Sequence, residues 1–338
     1  MKNKKNPIKR PSSQDVANQA GVSRATVSAY INKTRFVSSE LGERIEQAIQ
    51  ELNYIPDHYA RALKMDDTKT IGLIIPVLSR FFTPMMRAIN EIAHQNHYGF
   101  LLCSSEEEAD REKEVLEIFV AKRISGILLV PCSVENRSLL ERILRNGIPI
   151  VQVNRKVEGL DTDIVMSNNY KAAYTATEHL IERGRKKIVF FGYDPDSLAL
   201  IDKKKGYDKA LEDYGIKDNF TIILRQNDEN NITESFHSFL DSGQEFDSII
   251  CTTQTKTSIA LHLLQDHDIK IPENVAVVGF DDNTWASMLW RPLTVISEST
   301  YKMGEVAVQV LLDRLEKRES GPSKSIILED EFVVRETT

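Results

Sequence analysis

The sequence lacks the features that mark membrane and secreted proteins. Its 338 residues include three cysteines, Cys103, Cys132 and Cys251, without the CxxC spacing of a metal or redox site. Each lies in or beside an apolar run, where a free cysteine behaves as a small hydrophobic side chain. The longest apolar runs are strand-length, and the basic N-terminus is not followed by the apolar stretch of a secretory signal. These absences predict a cytoplasmic protein that does not contact a membrane.

Catalytic and metal-binding motifs are also absent. The chain contains no GxSxG, HExxH, P-loop or GxGxxG pattern. Its seven histidines are scattered, and two pairs of them, His94 with His97 and His262 with His267, fall near the ends of predicted helices. Adjacent carboxylates at positions 281 and 282 could hold a cation, but no further clustered ligands accompany them. We therefore expect no enzyme activity, no cofactor and no metal site.

The charge of the chain is divided unevenly. Residues 1–65 contain 11 Lys or Arg and 6 Asp or Glu, a net charge of +5, whereas the remainder contains 32 against 44, a net charge of −12. A basic head on an acidic body predicts that the head alone binds a polyanion. The alternative is a basic tail that only aids solubility.

The basic head contains a compact helical unit, "SSQDVANQAGVSRATVSAYIN". Apolar spacing predicts a first helix over Ser13 to Ala20, and Gly21 supplies the residue at which a helix ends with positive φ. Ser23 can cap a second helix, and a third is predicted over Ser39 to Leu52. The unit is therefore predicted to be an all-α domain.

Helix, glycine turn and helix is the order of the helix-turn-helix, whose second helix lies in the major groove of DNA. Arg24 could donate two hydrogen bonds to a guanine edge, and Ala25 and Ala29 offer methyl groups that can contact the methyl group of thymine. The hydroxyl and amide side chains suit phosphate contacts, which set register rather than sequence. The predicted DNA contacts of this helix are Ser23, Arg24, Ala25, Thr26, Ser28, Ala29 and Asn32. The alternative is a three-helix domain that binds another protein.

From residue 70 onward, apolar strands alternate with helical segments in two successive rounds, which predicts an α/β body of two parallel-sheet lobes. Ligands bind beyond the carboxyl ends of such strands. Phe81 and Phe82, Gln254, Asp281 and Asn169 fall near these ends and suit a sugar or another polar ring. The alternatives are core packing for the two phenylalanines and a helix cap or loop charge for Asp281.

The order of motifs over residues 12 to about 335 resembles the lactose-repressor (LacI/GalR) family of bacterial transcription regulators. The matching stretches include "QDVANQAGVSRATVSAYIN", "TKTIGLIIP", "HLIERGRKKIVFFG", "IPENVAVVGFDD" and "RPLTVIS". The resemblance implies a periplasmic-binding-protein-like body, divided here into an N-lobe of about 70–165 plus 297–322 and a C-lobe of about 166–296 plus 323–338. The helix-turn-helix head then spans residues 1–55, and a hinge helix with its linker spans 56–69.

The resemblance also implies how the hinge binds DNA. Leu63 would wedge between base steps from the minor groove, while Arg61 and Lys64 contact phosphates. The alternative for Leu63 is an ordinary contact with the body. The resemblance further implies a repressor that binds, as a homodimer, a near-palindromic operator in double-stranded DNA.

The cleft departs from the pattern of the family at several positions. Lys203 stands where many members carry arginine, Thr253 and Gln254 stand for "ND", and Glu298 stands in place of "Q". Lysine keeps the charge but loses the planar fork of arginine. The expected small-molecule effector is therefore a sugar, a sugar phosphate or a similar metabolite, a wider class than the neutral sugars that are usual in the family. A phosphoprotein corepressor is a further partner consistent with the resemblance, and a carrier-type protein without DNA function is the alternative to a regulator.

Overall fold

A computed structural model describes residues 11–55, 68–193, 198–217, 219–224, 229–317 and 321–338. The chain divides into two compact units, residues 1–68 and 69–338, each described by itself below. None of the helices among the described residues combines the length and the hydrophobicity that a membrane-spanning helix requires.

The described residues of the first unit, 11–55, contain three helices at the positions that the sequence predicts: α1 (Ser13–Ala20), α2 (Arg24–Asn32) and α3 (Ser39–Glu51). Helix α1 begins with a capping box. The Ser12 hydroxyl accepts a hydrogen bond from the backbone amide of Asp15, and the Asp15 carboxylate accepts one from the backbone amide of Ser12 at 2.7 Å. Gly21 ends α1 with φ of 63°, which confirms the predicted turn.

The core of this unit is small and comes from all three helices. Val16, Ala17, Val27 and Ile45 are fully buried, and half-buried apolar side chains surround them. The side chain of Arg44 on α3 donates a hydrogen bond of 2.7 Å to the carbonyl of Ala20 at the end of α1. These contacts tie α3 to the end of α1, just before the turn that leads into α2.

The second unit begins with a six-stranded parallel sheet in the order β11-β5-β4-β3-β1-β2. Its strands are β1 (Thr70–Ile75), β2 (Gly99–Ser104), β3 (Gly126–Leu129), β4 (Ile150–Val153), β5 (Asp163–Ser167) and β11 (Ser325–Leu328). Its helices are α4 (Thr83–Gln95), α5 (Ala109–Ala121), α6 (Arg137–Arg145) and α12 (Thr300–Leu315). The central strands are buried on both faces, as their continuous apolar sequences predict.

The second sheet has the order β12-β10-β9-β8-β6-β7 and is parallel except for β12. Its strands are β6 (Ile188–Tyr193), β7 (Asn219–Leu224), β8 (Ser248–Cys251), β9 (Ala276–Phe280), β10 (Thr294–Ser297) and β12 (Glu331–Val333). Its helices are α7 (Asn169–Glu182), α8 (Leu198–Asp213), α9 (Glu229–Asp241), α10 (Gln254–Asp266) and α11 (Thr284–Met288). The two sheets confirm the predicted α/β body of two parallel-sheet lobes.

The chain passes between the two lobes three times: after β5, after β10 and after β11. The third passage lies at residues 329–330, so the expected C-lobe segment of 323–338 is wrong at its start. The reason is that β11 extends the first sheet: Ser325–Leu328 pair in parallel with residues 164–167 of β5. Helix α12 also packs against the first sheet, through Met303, Val308 and Leu311.

Candidate functional site

The exposed face of α2 carries several of the predicted DNA-contacting side chains. Ser23 caps the helix, because its hydroxyl accepts the Thr26 amide at 3.1 Å. Arg24, Ala25 and Ser28 are exposed, and Thr26 is half-buried. The Arg24 Nε donates to the Ser13 hydroxyl at 3.1 Å, which orients the guanidinium while its Nη groups carry further donors.

The prediction that Ala29 belongs to this exposed face is wrong, since only 4% of the residue is exposed. Lys33 ends α2 in the left-handed conformation, and the Thr34 amide then donates to the Ala29 carbonyl, so the chain folds back beside Ala29. Asn32 is half-buried and donates from Nδ2 to the Ser28 carbonyl at 2.8 Å. The same turn brings Arg35 close to α2, where its Nη2 lies 3.5 Å from the Thr26 hydroxyl. Arg35 is exposed, and the sequence did not indicate it as a contact.

The hinge contacts predicted from the resemblance, Arg61, Leu63 and Lys64, lie outside the described residues. Their roles stay predictions.

The structure brings all seven predicted effector residues around one cavity of about 260 Å³ between the two lobes of the body. These residues are Phe81, Phe82, Asn169, Lys203, Gln254, Asp281 and Glu298. The first lobe supplies the two aromatic rings, and the second supplies most of the polar groups. The sequence reading missed Arg80, Asn154 and Arg155, which also line the cavity.

A buried ion pair closes one side of the cavity. The Lys203 ammonium on α8 lies 2.8 Å from a Glu298 carboxylate oxygen, and the two side chains are 10% and 4% exposed. The ammonium also lies 3.9 Å from the centre of the Phe280 ring, a cation–π distance. Because Glu298 follows β10, this pair joins α8 to the second passage between the lobes.

Asp281 lies directly after β9, with φ of 74°, and its carboxylate accepts the backbone amide of Gln254 at the start of α10. That amide and the nearby Lys203 ammonium favour the charged form. Burial and the neighbouring charges of Glu298 and Asp330 oppose them more strongly and raise the pKa of Asp281 to about 7. The cavity therefore contains a carboxyl group whose pKa lies well above the usual range of aspartate.

Asp330, in the third passage, belongs to the same group of charges. Burial, followed by the charge of Glu298, raises its pKa to about 7, although the Ser167 hydroxyl donates to Oδ1 at 2.8 Å. The second oxygen, Oδ2, is buried without a hydrogen-bond partner. The Oδ1 atom of Asn169, which lines the cavity, is buried without one as well. Unpaired acceptors of this kind favour a ligand that donates hydrogen bonds.

Two further groups have structural partners. Arg155 forms a bidentate ion pair with Glu107 at 2.8 and 2.9 Å. Asp282 turns away from Asp281 to Arg335, at 2.6 Å, so the two adjacent carboxylates do not form a shared cation site.

The cysteines are free, and burial raises the pKa of Cys132 and of Cys251 to about 12, as expected of inert apolar positions.

Comparison with known proteins places this chain in a family. The family described as periplasmic binding proteins and sugar binding domain of LacI family matches residues 68–335, and the lacI family of bacterial regulatory proteins matches residues 13–57. The HTH-type transcriptional regulator RegA of Clostridium saccharobutylicum is 33% identical over 328 residues, covering 96% of this chain and 98% of RegA. The chain belongs to the LacI family.

Other LacI-family relatives agree. The HTH-type transcriptional repressor PurR of Aliivibrio salmonicida is 30% identical over 308 residues, covering 90% of this chain and 92% of PurR. The crystal structure of the lac repressor dimer bound to operator and the anti-inducer ONPF shares the fold, with a TM-score of 0.85, 22% identity and coverage of 97% and 99%. The CelR–cellobiose complex has a TM-score of 0.72 at 24% identity, covering 97% and 100%.

These matches confirm the resemblance and the fold class. The protein is a DNA-binding transcriptional regulator of the LacI family with an effector-binding domain, and its relatives are regulators rather than enzymes.

Proposed function

We propose that this LacI-family protein is a cytoplasmic repressor that binds a near-palindromic operator as a homodimer and is controlled by a small molecule in its cleft. The observation that carries the proposal is the combination of an exposed polar face on α2 with a cavity between two lobes that is lined by aromatic, charged and hydrogen-bonding side chains. The first supplies sequence readout, and the second supplies a ligand-dependent equilibrium.

On DNA, Arg24 would read a base and its neighbours would set the register. The hydrogen bond to Ser13 holds the guanidinium at the exposed start of α2, the end of a recognition helix that contacts base edges. The methyl group of Ala25 and the hydroxyl of Ser28 are exposed beside it. Arg35, just beyond the end of α2, suits a phosphate contact.

This assignment is tested by comparing two arginine variants on a selected operator. Arg24→Ala should relax the preference at one base pair in each half-site, at a cost of about 1–3 kcal/mol for the preferred base. Arg35→Ala should weaken binding about equally across sequences and reduce the salt dependence. An unchanged base preference in Arg24→Ala would show that this arginine does not read a base.

In the cleft, the lining favours a sugar, a sugar phosphate or a similar metabolite rich in hydroxyl groups. Phe81 and the more buried Phe82 offer ring edges and faces, while Asp281 and Asn169 offer acceptors for hydroxyl donors. Arg80, exposed at the cavity, could accommodate an anionic substituent. The cellobiose bound by CelR shows that a protein of this fold can hold a sugar.

The position of the cleft lets ligand binding influence DNA binding. Asn169 and Glu298 both line the cavity and both lie where the chain passes between the lobes. A ligand that contacts them together with Phe81 would bind one lobe arrangement more tightly than another. By differential affinity it would then shift the population of the DNA-binding form.

A thermal-shift screen against sugars, sugar phosphates and nucleobases tests the ligand class. A ligand of the cleft should raise the melting temperature of the wild type and of the control Asp202→Ala, which lies on α8 beside Lys203 but pairs on the surface with Lys205. The shift should be lost in Asp281→Ala. Retained stabilisation in that variant would remove Asp281 from the site. A phosphoprotein corepressor would leave the screen blank and instead change operator affinity when added.

Dimerisation would bury apolar surface that the single chain leaves exposed. Trp290 is 98% exposed and Met288 is 75% exposed, close together at the end of α11. Sedimentation velocity should show a dimer for the wild type and for Val134→Ser, another exposed apolar position, but a weaker dimer for Trp290→Ser. A dimer of unchanged affinity in Trp290→Ser would place the interface elsewhere.

A further inference from the structure

Among the described residues, three potential metal ligands outside the cleft lie close together. Ligand atoms of His237, Asp241 and His267 are all within 4.8 Å of one another, and all three residues are exposed. The sequence alone predicts no metal site, because His267 is 30 residues from His237 and reads as a helix end. The structure confirms that His267 follows α10, but it also brings the residue against α9.

The packing of α9 against α10 builds this cluster. Buried Phe236 on α9 and Leu263 and Leu264 on α10 belong to the same apolar core. His237 directly follows Phe236, and Asp241 lies one turn later, with its Oδ2 2.9 Å from the His237 Nδ1. The rings of His237 and His267 meet edge to face at 5.2 Å between centroids. The cluster is thus held by buried contacts rather than by flexible loops.

The electrostatics of the cluster favour a cation. Asp241 is the last residue of α9, and His267 immediately follows the last residue of α10. The C-terminal ends of two helices therefore converge here, and the partial negative charge of each end stabilises positive charge nearby. The Asp241 carboxylate offers an oxygen ligand beside the two imidazole rings.

We propose that His237, Asp241 and His267 bind a divalent transition-metal ion of the class of Zn²⁺, Ni²⁺ or Cu²⁺. Two imidazole nitrogens select such ions over Mg²⁺ and Ca²⁺, which prefer oxygen ligands. Three protein ligands at an exposed position leave coordination sites for water. The ion would tie the end of α9 to the end of α10.

This site is separate from the effector cleft. The ends of α9 and α10 lead into the starts of β8 and β9, whereas Asp281 follows the carboxyl end of β9. The metal would therefore bind near the amino ends of the strands of the second sheet, whereas the ligand cavity lies at their carboxyl ends. Metal binding at this site does not depend on the identity of the proposed effector.

The chain supplies a matched control for the alternative, an ordinary surface ion pair. His262 and Asp266 share the same four-residue spacing on α10, with 3.5 Å between Nε2 and Oδ2, and both are well exposed. Within the described part of the chain, they do not belong to a group of three metal-ligating side chains. A histidine–aspartate pair alone should bind metal far more weakly than the cluster.

Calorimetric titration of the untagged full-length protein with ZnCl₂ and with NiCl₂ tests the proposal. We expect one equivalent of ion to bind and the melting temperature to rise. His237→Ala and His267→Ala should each lower the affinity at least about tenfold, whereas His262→Ala should leave it unchanged. Since all three ligands are exposed, the variants should fold normally without metal, as far-UV circular dichroism can verify.

Two results would overturn the proposal. One is the absence of stoichiometric binding by the wild type, and the other is an equal loss of affinity in His262→Ala. Loading with Co²⁺ gives an independent readout, because the visible spectrum of a nitrogen and oxygen site lacks the intense thiolate band that binding at a cysteine would produce.

Discussion

The head and the body of this regulator present their functional groups in opposite ways. In the head, the proposed DNA contacts that the structure describes lie on or directly beside one nine-residue helix and are mostly exposed to water. In the body, the cavity is lined by residues drawn from Val77 to Glu298, and its charged groups are largely buried. Exposed polar groups need no protein partner, whereas buried charges do. Exposed side chains on the DNA-contacting face should therefore be replaceable with little loss of stability, whereas removing one partner of the buried ion pair in the cleft should be costly.

The largest effect is expected from Lys203→Met. This change leaves the Glu298 carboxylate, 4% exposed, without the cation that lies 2.8 Å away. Removing one partner of a buried ion pair typically costs about 3–5 kcal/mol. The measurement is urea unfolding followed by tryptophan fluorescence, which reports the body because Trp285 and Trp290 are the two tryptophans of the chain.

Two controls sharpen this result. Arg87→Met removes the partner of Glu91 on the surface, with side chains 73% and 39% exposed, and should cost far less than Lys203→Met, because water screens an exposed pair. The double variant Lys203→Met with Glu298→Leu removes both charges and should recover much of the loss. Equal costs for Lys203→Met and Arg87→Met would contradict the contrast between buried and exposed charge.

Helix packing gives the next contrast, through one glycine in each region. A Cβ at Gly206 on α8 would lie 2.0 Å from the backbone carbonyl oxygen of Tyr170 on α7, so the two helices must separate. A Cβ at Gly42 in the head would meet only the ring of Tyr30, at 3.0 Å, and a ring can move. We expect Gly206→Ala to destabilise the body by about 3 kcal/mol.

In Gly42→Ala, the gain in helix propensity offsets the ring contact, and the stability of the head should change by less than about 1 kcal/mol. Circular dichroism during thermal unfolding can follow both variants. A Gly206→Ala variant as stable as the wild type would show that α7 and α8 do not approach as closely as described.

The smallest effect concerns pH. A carboxyl group of aspartate in an unfolded chain titrates near pH 3.9, whereas burial and the charge of Glu298 raise the pKa of folded Asp281 to about 7. Between these values the folded protein holds a proton that the unfolded chain has released, so this group's contribution to stability is lost as pH rises toward 7. Asp281→Asn does not titrate and escapes this loss.

Relative to the wild type, Asp281→Asn should therefore gain stability between pH 5 and pH 8, by about 2–3 kcal/mol. Burial also lowers the pKa of His179 to about 4, so the contribution of this group to stability has the opposite pH dependence. That contribution is the same in the wild type and in the variant, and it cancels in the difference between them. A difference in the free energy of unfolding that does not vary with pH would show that Asp281 is ionised throughout this range.

Local patterns predicted the head well because each helix signals its own start and end. The Ser23 cap, the Gly21 turn and the bounds of α1 follow from adjacent residues. Ala29 was mispredicted because its burial depends on the chain folding back after Lys33, which helical spacing does not encode. The same local rules say nothing of Arg35.

In the body, the strand ends pointed to Asp281 and Gln254, and the resemblance to the family added Lys203 and Glu298. The partners of these residues could not be predicted in this way. The parallel pairing of β11 with β5 joins segments about 160 residues apart, and it places Asp330 beside the cleft. The approach of His237 to His267 likewise depends on the packing of α9 on α10.

The central claim is that the head reads duplex DNA in pairs while the body senses a ligand. Selection from a random duplex library with the full-length protein, at low salt and with each ligand that passes the thermal screen, tests it most directly. The account predicts enrichment of one near-palindromic sequence, whose affinity changes when the cleft ligand is added. Failure to enrich any double-stranded sequence, with or without ligand, would contradict it.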